Sequence, residues 1–225
     1  MNYGNSNRLN GNKCHHCKNS IGRHHLRVIT SDQHTEQLAR KLQAALNKVY
    51  ENALKKGYAL PTGSIMTGAL TATIGDKTIQ LATLSGSNAE KILNLIGKKV
   101  FGPEVEIVSA NVPIDTYKTL LGRDLAKQAA EVEKSRVLIP GAIPPGTTIR
   151  GGVIHPAYPV GSCAGQKLLN NAIQKALSSG EKITSVHMAE VFWRANGSKT
   201  HWIAGDVVAS CNTCAYLLPM MLCNF

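Results

Sequence analysis

The chain has 225 residues, 43% hydrophobic and 17% charged, which excludes a disordered tail and leaves room for one sizeable core with or without an appended segment. A formal charge of +11 favours polyanionic partners: nucleic acid, anionic lipid or an acidic protein. No run reaches the roughly 18 to 20 apolar residues of a membrane span, and the opening "MNYGNSNRLNGNK" lacks the apolar middle of a signal peptide, so the expected location is the cytoplasm, or a secreted effector's route that leaves no Sec mark.

Residues 1–34 read as a polar, basic arm whose distinctive feature is "CHHCKNSIGRHH". Cys14, Cys17, His24 and His25 supply enough donors for a small structural zinc site, although their spacing is shorter than a zinc finger's. The arm is read either as such a site or as a linker. Residues 35–64 are a helix and its linker: Leu38, Leu42, Leu46 and Tyr50 recur at helical spacing, which predicts an amphipathic helix packed on the core.

From residue 65 to the end the pattern is that of one α/β domain. Two β-rich runs flank "GDK", a hairpin signal. "NAEKILNLIGKKVFG" reads as a helix, "EVEIVSANV" as a strand and "DTYKTLLGRDLAKQAAEVEKSR" as a second long helix. The stretch "VLIPGAIPPGTTIRGGVIHPAYPVGS" holds too much Pro and Gly for regular structure, and a loop that long is often functional. It leads into "CAGQKLLNNAIQKALSSG", a helix ended by Ser-Ser-Gly. "ITSVHMAEVFW" reads as a strand buried on both faces, and "CNTCAYLLPMMLC" as the start of a final short helix. There is no internal repeat.

Cys163, Cys211 and Cys214 each fall at or just before the first turn of a predicted helix, where main-chain N–H groups and the helix dipole favour thiolate. Two such helices side by side on a sheet can turn three sulfurs to one tetrahedral Zn²⁺ and leave the fourth position to water. An open position means chemistry.

The stretch "YPVGSCAGQKLLNNAIQKALSSG" resembles the first zinc helix of the cytidine deaminase superfamily, and "ASCNTCAYLL" resembles its second, with the usual C-x-x-C. The hairpin "ATIGDKTIQLATLSG" is similar to that fold's opening strands. The compact C-terminal arrangement and the ending "LLPMMLC" resemble the toxin-type deaminases of bacterial polymorphic toxin systems, the YwqJ-like group among them. The resemblance implies a mixed sheet flanked by helices, here with an N-terminal helical extension, and a zinc-dependent hydrolytic deaminase of cytosine or adenine, in nucleic acid or as a nucleotide. It implies Cys163, Cys211 and Cys214 as zinc ligands and, for the toxin branch, an immunity protein as partner. In the family the metal activates a water, and a glutamate two residues after the first ligand carries the proton to the ring and then to the departing ammonia.

At that place this chain departs from the pattern, because C-x-E reads Cys163, Ala164, Gly165. Glycine moves no proton, and the neighbouring Gln166 is a hydrogen-bond donor with no acid–base role near pH 7. Glu190, inside the apolar run "SVHMAEVFW", is the candidate replacement, since a carboxylate in a central strand is costly unless paired or held near a metal. The plainer reading is that Glu190 faces solvent or pairs with a Lys or Arg. A competing frame takes "HMAE" as a distorted H-x-E with His187 as first ligand and Cys211 as the next.

His155 and Tyr158, on the loop before Cys163, are candidate substrate contacts together with Gln166, Tyr158 as a face on which a base stacks. Cys223 reads as a small buried hydrophobe, and Trp193 and Trp202 as packing. Two other classes compete with the deaminase: a non-catalytic, zinc-stabilised binding protein in which Gly165 marks lost chemistry, and a basic nucleic-acid binder using the N-terminal Cys and His residues.

Overall fold

A computed structural model describes residues 29–58, 63–86, 88–96, 100–113, 116, 161–195, 203–208, 214, 218 and 221, and the backbone of 2–3, 148–149 and 152–153. In chain order the elements are β1 (Asn2–Tyr3), β2 (Ile29–Thr30), α1 (Gln33–Lys55), β3 (Ser64–Ile74), β4 (Lys77–Leu84), α2 (Ala89–Ile96), β5 (Val105–Ile107), β6 (Thr148–Ile149), β7 (Gly152–Val153), α3 (Ala164–Ser179) and β8 (Ile183–Arg194). The class is α/β, with a mixed six-stranded sheet in the order β1-β2-β8-β3-β4-β5.

The hairpin expected at "GDK" is present: Ile74 pairs with Lys77 across Gly75 and Asp76, and Gly75 takes the positive φ of 56° that such a turn demands. β3 is antiparallel to both β4 and β8, so β4 and β8 run the same way, and β5 is parallel to β4. The carboxyl ends of β4, β5 and β8 therefore share one edge of the sheet, the place where open α/β sheets form ligand crevices.

α1 covers one face. Asp32 caps it by accepting from the Thr35 N–H at 2.7 Å while the Asp32 N–H donates to Thr35 Oγ1 at 3.1 Å, a reciprocal box. Its stripe of Leu38, Ala39, Leu42, Ala45 and Leu46 is buried, and the predicted amphipathic helix packs on β3 and β8. Each fully buried Leu contributes about 1.5–3 kcal/mol of apolar transfer. Trp193 belongs to this layer: its indole N–H donates to Asn47 Oδ1 at 2.6 Å and its ring meets Tyr50 edge-on at 5.4 Å.

α3 covers the other face. It ends at Gly180, whose φ of 69° is the left-handed cap read from Ser-Ser-Gly. Leu168, Leu169, Ala172, Ile173 and Ala176 pack on Leu70, Ala72, Leu81, Val186 and Met188 of the sheet. Gly68 of β3 allows that approach, because a Cβ there would stand 2.9 Å from the Ala164 Cβ and 3.0 Å from Leu168 Cδ1. The result is helix, sheet, helix, with β8 buried on both faces as its apolar run predicts.

Two stretches differ from the sequence reading. The Pro- and Gly-rich segment expected to lack regular structure contains the short β6–β7 hairpin, Thr148 pairing with Val153 and Ile149 with Gly152. The polar arm sends β1 and β2 to the sheet edge, where Thr30 pairs with His187. Strands of two residues are too short to leave a periodic signal. The second long helix expected after Asp115 lies outside the described residues, Thr116 apart. Among the described residues no helix is long and apolar enough to cross a membrane.

Candidate active site

The N-terminus of α3 opens onto the sheet edge where β4, β5 and β8 end. Cys163 is its N-cap residue, extended at φ −70° and ψ 145°, with no side-chain capping bond. An extended cap residue hands its carbonyl to the first turn, and the Lys167 N–H donates to it at 3.2 Å. Every residue from Cys163 to Leu169 is buried, so this turn is enclosed on all sides.

Glu190 comes to the same spot from β8. The strand's period of two puts Val186, Met188 and Glu190 on the α3 face and His187, Ala189, Val191 and Trp193 on the α1 face. Glu190 is only 4% exposed and stands opposite Gly68 in the register, in room that a larger β3 residue would take. Its Oε1 accepts the Gly165 main-chain N–H at 3.0 Å, within the first turn of α3. That N–H is one of the donors a helix leaves unsatisfied at its start, and the positive end of the helix dipole favours a carboxylate there. The residue whose N–H Glu190 holds is the glycine at the C-x-E position.

Gly165 itself is packed closely. A Cβ on it would lie 3.1 Å from Met188 Cε and 3.4 Å from Leu218 Cδ1. Gln166, read as a substrate contact, is completely buried: its Oε1 accepts from the Gly161 N–H at 2.7 Å and its Nε2 donates to Cys214 Sγ at 3.4 Å. It links the turn before α3 to the segment carrying Cys214, Leu218 and Met221, all three with helical backbone and all buried.

Lys167 was not signalled by the sequence. It is 1% exposed, and its Nζ donates to the Leu84 carbonyl at 3.0 Å and the Gly86 carbonyl at 2.8 Å. Burial pushes its pKa down to about 8, against the attraction of Cys163, which raises it. Gly86 in turn donates to the Ser162 carbonyl at 2.8 Å, so the end of β4 and the start of α3 are fastened from both sides. A lysine between Gln166 and Leu168 reads as an exposed helix position unless one knows that the first turn is covered all round.

The frame built on His187 and Glu190 is corrected by the strand: the two lie on opposite faces of β8. His187 turns to the α1 side, its Nδ1 at 3.4 Å from Thr30 Oγ1 and 3.9 Å from Asp32 Oδ2. His155, Tyr158 and Cys211 lie outside the described residues, as do Cys14, Cys17, His24, His25, Trp202 and Cys223. Among the described residues no group of three or more His, Cys, Asp or Glu is placed to hold a metal ion. Thiols are donors of the kind zinc takes, and two are among the described residues: Cys163 caps α3, and the sulfur of Cys214 accepts from Gln166. The pair needs a further thiol, and Cys211 is the C-x-x-C partner of Cys214 in the sequence.

No protein-family model matches the chain, and neither the curated proteins nor the solved structures contain a match to it.

Proposed function

We propose that the protein is a zinc-dependent hydrolytic deaminase of a nucleobase, in nucleic acid or as a nucleotide, acting as a bacterial toxin or effector domain, with Glu190 as the proton carrier in place of the glutamate missing at 165. The observation that carries this reading is the Glu190 carboxylate, buried on the central strand and held against the Gly165 N–H at 3.0 Å. A carboxyl group reaches the first turn of the cysteine-capped helix from a different element.

Cys163, Cys211 and Cys214 would hold the zinc, and zinc supplies there the Lewis acidity that makes water a nucleophile near neutral pH. Hydrolysis adds the water oxygen to the amidine carbon of the base and breaks the bond to its amino nitrogen, which departs as ammonia. The carboxylate of Glu190 would carry one proton of the attacking water to the ring nitrogen and then the second, from the hydroxyl of the adduct, to the leaving amine. The Gly165 N–H keeps one oxygen of that carboxylate in place. The charge of +11 draws the reading toward a nucleic-acid substrate.

A second reading has its own observation. The same hydrogen bond makes Glu190 a helix cap, and Gly165 is packed against Met188, so the fold can be a zinc-stabilised binding protein without turnover. Deamination of single-stranded DNA, RNA and free nucleotides by the zinc-loaded protein separates the two, with Glu190→Gln and Gly165→Glu assayed beside it. Activity that vanishes in Glu190→Gln with zinc retained supports the first reading. Activity that appears only in Gly165→Glu supports a disarmed site.

A further inference from the structure

The outer face of α1 concentrates positive charge. From residue 40 to residue 56 the chain carries five basic residues, Arg40, Lys41, Lys48, Lys55 and Lys56, against one acid, Glu51, and all six are exposed. Lys41, Lys48 and Lys55 recur every seven residues, so they form one row along the helix, about 10 Å apart at about 1.5 Å of rise per residue. Arg40 is engaged by the Gly205 carbonyl at 2.6 Å and Lys41 lies over the Phe101 ring at 5.5 Å, and among the described residues none of the five is in an ion pair with a carboxylate. The row ends at an aromatic ring on a fixed backbone. The Tyr58 N–H donates to the Ala53 carbonyl at 3.0 Å, and Gly57, at a φ of 72°, donates to the Leu54 carbonyl at 3.0 Å, the paired bonds of a Schellman turn. Phe101, Phe192 and Trp193 are buried, whereas Tyr58 is 65% exposed. α1 runs along β8, from Asp32 beside His187 to Asn47 at Trp193, so its last two turns pass the sheet edge onto which the head of α3 opens.

We propose that the outer face of α1 is a docking track for single-stranded nucleic acid: Lys41, Lys48, Lys55 and Lys56 take its phosphates, and Tyr58 stacks on a base at the sheet edge shared with the candidate active site. This rests on the nucleic-acid side of the reading above and not on its zinc chemistry. A row of lysines meets a phosphate backbone without reading sequence, and an exposed ring stacks on any base. Together they suit a strand whose bases are unpaired, because in a duplex the base faces are covered. A lipid surface fits less well. An interfacial helix buries its apolar face in the bilayer, and that of α1, with Leu38, Leu42 and Leu46, is already buried on the sheet.

The test is fluorescence anisotropy of a labelled single-stranded oligothymidylate, titrated with the whole protein over a series of salt concentrations. The unaltered chain is compared with a triple variant, Lys41→Gln with Lys48→Gln and Lys55→Gln, and with Tyr58→Ala and Tyr58→Phe, while circular dichroism follows the fold. All four positions are exposed. For single strands each phosphate contact adds about 0.7 to the slope of log affinity against log salt, so the triple variant should be shallower by about 2. Tyr58→Ala is expected to weaken binding about 5-fold or more at an unchanged slope, and Tyr58→Phe to bind like the unaltered chain. An abasic strand should bind equally to all three. An unchanged slope in the folded triple variant overturns the proposal and assigns the strand to basic residues elsewhere in the chain, and equal binding of the oligothymidylate by Tyr58→Ala overturns it as well. Tighter binding to phosphatidylserine vesicles than to the strand overturns it in favour of a membrane surface. A protein that deaminates free nucleotides without binding the strand overturns this proposal and leaves the reading above in place, whereas one that binds as expected without deaminating does the reverse.

Discussion

The Oε1 of Glu190 and the main-chain N–H of Gly165 lie 3.0 Å apart, joining the middle of the central strand to the first turn of the helix on its face. Both partners are buried, so the bond is exchanged for nothing when one is removed. Glu190→Ala strands a helix N–H and is expected to destabilise the fold by about 1–3 kcal/mol. Glu190→Gln keeps an acceptor of nearly the same shape and is expected to cost less than half of that. Denaturant midpoints of the two variants check the order, and equal losses would show that the hydrogen bond contributes little.

Gly165→Glu is expected to lower stability even if it creates activity. Its Cβ would stand 3.1 Å from Met188 Cε, and its carboxylate would share the pocket with Glu190. Overpacking of this kind costs about 1–3 kcal/mol, although the contact atom is the flexible end of a methionine. Shortening that side chain in Gly165→Glu with Met188→Val should recover part of the loss. A double-mutant cycle measures the coupling, and strict additivity would place the inserted side chain elsewhere.

What the sequence made legible here follows from periodicity and length. α1, α3, the β3–β4 hairpin and the doubly buried β8 all announce themselves through apolar spacing or turn residues, and Cys163 was placed at its helix start by the same means. The burial of Lys167 and Gln166 is not legible in the sequence, because the covered first turn of α3 has no solvent side for a polar residue to mark. The parity of β8 separates His187 from Glu190 with no help from tertiary structure, and a strand assignment alone is enough to reject the frame that joins them. β2 pairs with β8 through so few residues that only the folded sheet reveals it.

Gly68 sets how near α3 sits to the sheet. Gly68→Ala places a Cβ 2.9 Å from the Ala164 Cβ, an atom fixed to the helix backbone and unable to swing aside. The entropic gain of replacing a strand glycine, about 0.5–1 kcal/mol, is expected to be outweighed by an overpacking cost of about 1–3 kcal/mol. The variant should also loosen the Glu190–Gly165 contact, since the helix must lift. Thermal melts and hydrogen exchange at the Gly165 amide check both effects, and a more stable variant would show that the layers have slack.

Asp32 ties the start of α1 to pH. Partial burial raises its pKa, but the hydrogen bonds from Thr35, with His187 and His34 nearby, bring it below the ordinary value of 3.8. A carboxyl group with a folded pKa under its unfolded one contributes stability that is whole above about pH 4 and is lost as pH falls through the folded value. Asp32→Ala is expected to cost about 0.5–2 kcal/mol at neutral pH, and the difference from the unaltered protein should shrink on acidification below about pH 4. Parallel denaturation series down to about pH 3 show it, and a gap that stays constant would assign the cost to the helix propensity of the new residue.

Lys167 has the opposite sign. Its pKa falls from 10.5 to about 8 on folding, so the unfolded chain binds the proton more tightly and holding the ammonium inside the fold opposes stability below about pH 8. As pH rises from about 8 towards 10.5 the folded state gives up that proton while the unfolded chain keeps it, and stability gains from this group. In metal-free protein, Lys167→Met lacks that gain, so the stability difference between variant and unaltered chain should move in favour of the unaltered chain across this window. Parallel denaturation series of the two proteins from about pH 7 to about pH 10.5 check this, and a difference that stays flat would show that folding leaves the proton affinity of Lys167 unchanged.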